Sequence, residues 1–276
     1  MYGAIIGDLA GSIYEYDEYN DSQNKIINLK RRLEILDKKL IIDKDAFYSD
    51  DTILTMAILD SILSNTSYEE KLREYGIKYG SFKLNRDNYF SYMFSPNFTK
   101  WCKGLVEGKS NGNGCMMRVS PIAYIFNDLD KIKEHSRLCT IPTHNTNSSI
   151  KSAEIVSVVI YLARCGKNKE FIKKYLQKEY NIELNYNLEV LRKTNLFDGT
   201  NKVLELCLYI LLESNNFVDS IKNAISIGGD TDTIACIVGS MAEALYGIED
   251  ELICEATKKI PIEFNEMLVK AYKSNI

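Results

Sequence analysis

The sequence predicts an all-α protein, a single compact multi-helix domain, and three observations lead to this prediction. Apolar residues recur at the three-and-four spacing of a helix with one buried face, as at Ile234, Ile237 and Val238. The alternating pattern of strands and the turn signals of β-hairpins are absent from the sequence. No linker rich in proline, glycine and serine divides the chain, so we expect one domain over residues 1–276.

The segments with helical spacing follow one another along the chain. The first, residues 3–13, carries a glycine at every fourth position, and because glycine weakens a helix this stripe predicts close packing against another backbone. Residues 150–164 contain a valine-rich run that could form a strand, but the length of the segment favours a buried helix. The other predicted helices cover 50–62, 68–79, 168–180, 184–193, 200–214, 216–226, 249–259, 262–273 and a helix that begins near Asp230 and is capped by Gly247.

Two segments allow more than one interpretation. Residues 17–46 are polar at first and then alternate charged residues with leucines, which fits an exposed helix, a mobile flap or an insertion. Residues 81–113 are rich in loops and aromatic side chains, which either fill the core or form part of a pocket wall.

Composition limits the function classes. The formal net charge of −4 and the lack of a basic block argue against nucleic acid as a sequence-specific partner. Seven scattered cysteines, with no C-x-x-C pair, are typical of reduced thiols. The longest apolar run, Val158 to Ala163, is too short to span a bilayer, and no signal peptide is evident. We expect a soluble cytoplasmic protein with no membrane partner, and a monomer.

Acidic and hydroxyl residues crowd two of the predicted helix starts. One carboxylate is enough to cap a helix, and adjacent acids repel each other unless a cation neutralises them. Oxygen donors suit Mg²⁺, Mn²⁺ or Ca²⁺ rather than zinc. Four carboxylates would balance two divalent ions, which could orient substrate hydroxyls or a water. The oxygen donors are Ser49, Asp50, Asp51, Asp230, Asp232 and Thr233.

Three further features are ordinary when each is considered alone. Glu15 fits a solvated acid just past the end of a helix, and His144 fits a hydrogen-bonded structural histidine. The glycine-punctuated turn at residues 111–118 would let a ligand approach the backbone, where free N–H groups could hold an anion.

Five stretches, taken in order, resemble the motifs of the ADP-ribosylglycohydrolase family. They run from residue 3 to residue 233, and the combination is far more specific than any one of them. The stretches are Gly3-x-x-x-Gly7-Asp8-x-x-Gly11-x-x-x-Glu15, Ser49-Asp50-Asp51-Thr52, Gly112-Asn113-Gly114-x-x-Met117-Arg118, Thr143-His144-Asn145 and Gly228-Gly229-Asp230-Thr231-Asp232-Thr233.

The resemblance implies an all-α hydrolase that cleaves the glycosidic bond at C1″ of ADP-ribose in an ADP-ribosylated protein or a small ADP-ribosyl conjugate. Two Mg²⁺ or Mn²⁺ ions, held by the six oxygen donors above, would bind the ribose hydroxyls beside that bond. Catalysis would involve Asp232 and a water at this centre, with Asp50, Asp51 or Glu15 as the base. The implied substrate-binding residues are Glu15 on a flap near the metals, His144 near a ribose, and Gly112, Asn113, Gly114, Cys115, Met116 and Met117, which would line the diphosphate site.

This chain departs from the family pattern in the predicted pocket wall. Asn111 stands where many members have phenylalanine, and Cys115 and Met116 replace serine and alanine, so substrate choice does not transfer. A catalytically silent ADP-ribose-binding or structural member is the alternative function. Two other acidic motifs fit poorly: acyl-phosphate phosphatases need D-x-D after a strand, and the D-D-x-x-D of prenyl synthases is broken by Leu54.

Overall fold

The computed structural model describes residues 1–14, 30–82, 93–193 and 200–274, and apart from a single β-bridge its regular elements there are helices. These helices share one hydrophobic core, so the predicted all-α, single compact domain is confirmed. They are α1 (Tyr2–Gly11), α2 (Asp50–Ser64), α3 (Tyr68–Tyr79), α4 (Pro96–Cys102), α5 (Gly114–Met117), α6 (Ser120–Ile125), α7 (Leu129–Thr140), α8 (Asn147–Arg164), α9 (Lys169–Tyr180), α10 (Leu188–Leu191), α11 (Thr200–Glu213), α12 (Phe217–Ile227), α13 (Thr231–Tyr246), α14 (Asp250–Thr257) and α15 (Ile262–Ser274).

Helix α1 packs its glycine stripe directly against α13, as the stripe predicts. A Cβ atom added to Gly7 would lie 2.0 Å from the carbonyl oxygen of Ala235, a distance that no side chain can occupy. At the end of the stripe, a Cβ on Gly11 would lie 2.5 Å from the Cα of Asp232. The absence of side chains therefore brings the end of α1 against the first turn of α13.

This interface gives the first prediction, that Gly7→Ala destabilises the protein. The added methyl group must push α1 away from α13, and overpacking of this kind costs about 1–3 kcal/mol, occasionally more. Urea denaturation would measure the loss. Gly112→Ala is the control, because a Cβ there meets nothing nearer than Ser110 Oγ at 3.4 Å. Equal stability of Gly7→Ala and the wild type would contradict the prediction.

Helices α2 and α8 are buried along most of their length and form the centre of the core. Ser49 and Thr146 cap them, each accepting a hydrogen bond from a backbone N–H of the first turn. The valine-rich run at residues 150–164 lies within α8, so the prediction of a buried helix there is confirmed.

Three segments differ from the sequence prediction. The predicted helix at 184–193 is wrong in extent, because only Leu188–Leu191 is helical and the Asn187 side chain caps its start at Glu189 and Val190. Helix α7 was not predicted, although Asp128 caps it through the N–H of Lys131, whereas the glycine turn at 111–118 leads into helices α5 and α6 as expected. Within the segment assigned to loops, Ser95 and the following proline begin α4.

The segment 17–46 is described only from residue 30 onwards, and residues 17–29 lie outside the described residues. Residues 30–34 are helical, and Ile35, Ile41 and Ile42 are buried in the core. The guanidinium of Arg32 donates a hydrogen bond to the carbonyl oxygen of Ile227 at 2.8 Å. Residues 30–46 are thus packed on the core beside the loop that precedes α13.

None of the helices in the described residues is long and apolar enough to cross a membrane. All seven cysteines are free, and five of them are buried. A buried thiol behaves mainly as a small apolar group, and burial raises the pKa of Cys115 to about 12, which keeps it protonated.

Candidate functional site

A cavity of about 780 Å³ opens where the starts of α2 and α13 meet. The two starts are joined by a hydrogen bond from Thr233 Oγ1 to Asp51 Oδ2 at 3.2 Å. The volume falls in the range of small-molecule sites. Five of the six predicted oxygen donors line the cavity: Ser49, Asp50, Asp230, Asp232 and Thr233.

Asp51, the sixth predicted donor, lies beneath the cavity surface and is 1% exposed. Its Oδ2 accepts a hydrogen bond from the hydroxyl of Thr233 and lies 3.0 Å from Ser49 Oγ, whereas its Oδ1 has no hydrogen-bond partner among the described residues. A buried carboxylate oxygen without a donor is costly. Burial raises the pKa of Asp51 well above its usual range, and the charges of Asp8 and Asp50 raise it further.

Asp8 is a site residue that the sequence analysis did not identify. Its Oδ2 accepts the backbone N–H groups of Ser49 at 2.9 Å and Thr52 at 3.1 Å, and its Oδ1 accepts the Ser49 hydroxyl at 2.8 Å. Asp8 therefore holds the start of α2 in place. The signal for it was a charged residue in an otherwise apolar helix, where an acid is buried only with partners.

The carboxylates of Asp8, Asp51 and Asp232 form the tightest acidic cluster of the described residues. One oxygen atom from each lies within 4.8 Å of the others, and all three side chains are buried. Buried like charges at this spacing are unfavourable without a neutralising cation. The three side chains offer only oxygen atoms as ligands, and one of these atoms, Asp51 Oδ1, has no hydrogen-bond donor among the described residues. The residues thus fit a hard divalent cation.

The glycine turn before α5 forms a second wall of the cavity. Asn113 Nδ2 donates a hydrogen bond to Asp230 Oδ2 at 3.3 Å, which ties the turn to the acidic loop. The hydroxyl of Thr200, the first residue of α11, donates to the carbonyl oxygen of Asn111, and its oxygen lies 3.3 Å from the carbonyl oxygen of Gly112. The turn is therefore fixed from both sides.

The predicted substrate-binding residues of this turn divide into two groups. Gly112, Asn113, Gly114 and Met117 line the cavity, whereas Cys115 and Met116 are fully buried and are not among the lining residues. The N–H groups of Met116 and Met117 already donate to the carbonyl oxygen of Asn113, at 2.9 and 3.3 Å. A role for the turn in binding an anion through its backbone stays a prediction.

His144 lines the cavity opposite the acids and is 6% exposed. Its Nδ1 lies 2.6 Å from Thr143 Oγ1, and the Cε1–Nε2 edge of its ring is beside Gly114, where a Cβ would lie 3.1 Å from Cε1. Burial lowers the pKa of His144 to about 3, and the nearby charge of Arg118 lowers it further. The imidazole is therefore neutral at physiological pH.

The neutral His144 predicts a contribution to the stability of the protein that is lost as the pH falls below about 6.5, the pKa of an unfolded histidine. Between that value and about 3, the pKa of His144 in the folded protein, the unfolded chain binds the extra proton. The contribution of His144 to the free energy of unfolding is therefore fully present above pH 6.5, and it falls by about 1.4 kcal/mol per pH unit below that value. Urea denaturation at several pH values would measure the slope.

The variant His144→Asn should lack this contribution. His135→Asn, which removes the half-buried histidine on α7, is the matched control and should keep it. If the wild type and His144→Asn lost equal stability between pH 7.5 and 5.5, the prediction would be wrong.

The remaining predicted features lie at the edge of the site or beyond the described residues. Phe94, Phe98 and Trp101 line the cavity while packing on one another, so these aromatic residues contribute to both the core and the pocket wall. Phe82 is half exposed, at 50%. Glu15 lies outside the described residues, so its role stays a prediction.

Comparison with known proteins identifies the fold and the family. The family model for ADP-ribosylglycohydrolase matches residues 1–262. ADP-ribosylhydrolase ARH3 of Danio rerio is 23% identical over 90% of this chain and 82% of its own length. Putative ADP-ribosyl glycohydrolase L543 of Acanthamoeba polyphaga mimivirus is 24% identical over 94% of this chain and 91% of its own.

A solved structure described as an ADP-ribosylglycohydrolase-related protein complex has the same fold. It superposes with a TM-score of 0.69 at 15% sequence identity, covering 99% of this chain and 95% of that one. The five motifs, the acids that converge at one cavity and the match of the family model over most of the sequence agree. This chain belongs to the ADP-ribosylglycohydrolase family.

Proposed function

We propose that this protein hydrolyses the glycosidic bond at C1″ of ADP-ribose in an ADP-ribosylated protein or a small ADP-ribosyl conjugate. One observation carries the proposal most directly: the acids of two distant helix starts converge on one cavity of about 780 Å³, joined by the bond between Thr233 and Asp51. Family membership supports the same activity.

We propose that the site holds two Mg²⁺ or Mn²⁺ ions. When bound, the ions would neutralise the acids, orient the ribose hydroxyls and lower the pKa of a water molecule. Asp8, whose oxygens accept hydrogen bonds from Ser49 and Thr52, would hold the start of α2 beside them. The proposed ligands are Ser49, Asp50, Asp51, Asp230, Asp232 and Thr233.

The acidic wall of the cavity also suits the reaction. Glycoside hydrolysis passes through a state with positive charge on the sugar ring, and the carboxylates of Asp50, Asp230 and Asp232 lie on the wall that would face it. A carboxylate on this wall could take a proton from the water that attacks the sugar ring. The geometry thus favours cleavage of a ribosyl bond over simple binding.

Asp50 is the better candidate for the base among the described acids. A base must reach the water whose proton it takes, and Asp50 lines the cavity whereas Asp51 lies beneath its surface. Glu15 is the alternative base. The glycine turn and His144, which form the opposite wall, would bind the diphosphate and a ribose.

Mass spectrometry of ADP-ribose released from a panel of conjugates tests the proposal. The panel would carry ADP-ribose on arginine, on serine, on an acetyl group and on a nucleic-acid end, each with Mg²⁺ and with a chelator. We expect release from at least one conjugate, and only with the ion. Binding of free ADP-ribose without release from any conjugate would identify a catalytically silent binding protein instead.

The proposed substrate partner is an ADP-ribosylated protein or an ADP-ribose derivative. The monomeric state and the cytoplasmic location stay predictions. Size-exclusion chromatography with light scattering would check the first, and fractionation of the cell that makes the protein would check the second.

A further inference from the structure

Arg118 is a fully buried cation in the part of the cavity wall that also carries His144. Its Nη2 donates hydrogen bonds to Thr143 Oγ1 at 2.6 Å and to the carbonyl oxygen of Cys139 at 3.1 Å. A guanidinium keeps its protons and can only donate. In the contact with Arg118, the hydroxyl oxygen of Thr143 must therefore be the acceptor.

The same hydroxyl lies 2.6 Å from Nδ1 of His144. A threonine hydroxyl has one hydrogen to donate and two lone pairs to accept with. Arg118 and His144 are its hydrogen-bond partners among the described residues, and Thr143 is 4% exposed. The direction of this second bond decides which nitrogen of the imidazole carries the proton.

Only one direction of this bond satisfies both the hydroxyl of Thr143 and Nδ1 of His144. If Nδ1–H donated to Thr143, the oxygen would accept twice and the buried hydroxyl hydrogen would have no acceptor. Leaving a buried donor unsatisfied shifts an equilibrium by about tenfold or more. If the hydroxyl donates to Nδ1, the proton of the neutral imidazole sits on Nε2, and both the hydroxyl hydrogen and Nδ1 have a partner.

Nε2 lies on the edge of the ring that packs beside the cavity wall. This Cε1–Nε2 edge lies next to Gly114, which lines the cavity together with His144. Because burial lowers the pKa of His144 to about 3, the ring carries no charge at physiological pH. An Nε2–H at this position is a neutral hydrogen-bond donor.

We propose that Arg118 and Thr143 are positioning residues that fix the Nε2–H tautomer of His144, so that the imidazole offers a neutral donor to an oxygen acceptor of the ligand in the cavity. The identity of that ligand as ADP-ribose rests on the proposed function. The tautomer does not, since it follows from contacts within the protein alone.

Nuclear magnetic resonance of protein labelled with ¹⁵N-histidine tests the tautomer directly. The chain has two histidines, and the variant His135→Gln assigns the signals. We expect the Nε2–H pattern for His144 in the wild type and in Thr143→Ser, which keeps the hydroxyl. Thr143→Val removes the hydroxyl and nearly preserves the shape, and a population with Nδ1–H should appear.

Isothermal titration with free ADP-ribose tests the consequence for binding. Thr143→Val should raise the Kd by roughly tenfold, the size of the loss when an orienting partner of a functional histidine is removed, and Thr143→Ser should restore it. Thermal melting would show that the variants are folded. A purely structural role for Thr143 would leave the tautomer pattern unchanged in folded Thr143→Val.

The outcomes separate the inference from the proposed function. An Nδ1–H pattern in the wild type, or identical spectra for Thr143→Val and Thr143→Ser, would overturn the inference. If the tautomers are as expected but none of the three proteins binds ADP-ribose, the positioning pair is supported and the proposed ligand is wrong.

Discussion

The variant Asp232→Asn is expected to release ADP-ribose more than roughly 100-fold more slowly than the wild type in the presence of the metal ion. Loss of a residue that only hydrogen-bonds a metal ligand can already cost roughly 100-fold, and Asp232 is proposed to be a ligand itself. Asp232 is 3% exposed on the first turn of α13, and it belongs to the buried cluster with Asp8 and Asp51. Asparagine keeps the shape but offers a neutral oxygen, so the site loses one of the charges that would balance a divalent ion. The measurement is the initial rate of ADP-ribose release at saturating Mg²⁺.

Asp250→Asn is the matched control for this experiment, because Asp250 is an exposed acid on the first turn of the next helix, α14. It should release ADP-ribose at the wild-type rate. Thermal melting of both variants would separate a lost ligand from a lost fold. Undiminished turnover by folded Asp232→Asn would refute the assignment of the cluster to catalysis.

The second large effect is expected on stability, through Asp51. A divalent ion that binds only the folded protein stabilises it by about 2.7 kcal/mol at one hundred times the Kd. The wild type should show this gain in the free energy of unfolding when Mg²⁺ or Mn²⁺ is added. Asp51→Asn removes the carboxylate whose Oδ1 lacks a hydrogen-bond donor. This variant should show little or no gain in the free energy of unfolding when the ion is added.

Without the ion, the order of stability should reverse. Burial raises the pKa of Asp51, so the folded wild type holds its proton more tightly than the unfolded chain does. Its free energy of unfolding therefore falls as the pH rises from the unfolded pKa near 4 through the raised folded pKa. Asp51→Asn lacks this loss, and in the presence of a chelator at neutral pH it should be the more stable protein.

Asp60→Asn is the control for both measurements, because Asp60 lies on the same helix but pairs with Lys71 outside the cavity. It should keep the stabilisation by the ion and the fall in stability with rising pH. An equal gain from Mg²⁺ in the wild type and in Asp51→Asn would show that the ion binds elsewhere.

The sequence was sufficient for most helices because their buried faces are apolar at helical spacing. Helix α7 was not predicted, although the Asp128 cap at its start is a sequence signal and its buried face combines Ile132 and Cys139 with the small polar Ser136 and Thr140. The predicted helix at 184–193 was too long because Asn187 caps a later start. Local capping bonds of this kind override the apolar spacing around them.

The candidate site was predictable from the acidic residues that helix capping alone does not explain. The second acid at each helix start, Asp51 and Asp232, indicated convergence because one carboxylate already caps a helix. Asp8 was not identified, since its partners Ser49 and Thr52 are distant in sequence and only the folded chain shows them. The same holds for Thr200, whose bonds to the glycine turn arise from tertiary packing.

The close contact of α1 with α13 also determines when this site can form during synthesis. Thr231 bonds to the carbonyl oxygen of Gly11, 220 positions earlier. At about 5–20 residues per second, the first helix would wait roughly ten to forty seconds for its partner to be translated. Until then the glycine face and the apolar side chains of α1 have no α13 to pack against, so the site forms only after α13 has been translated.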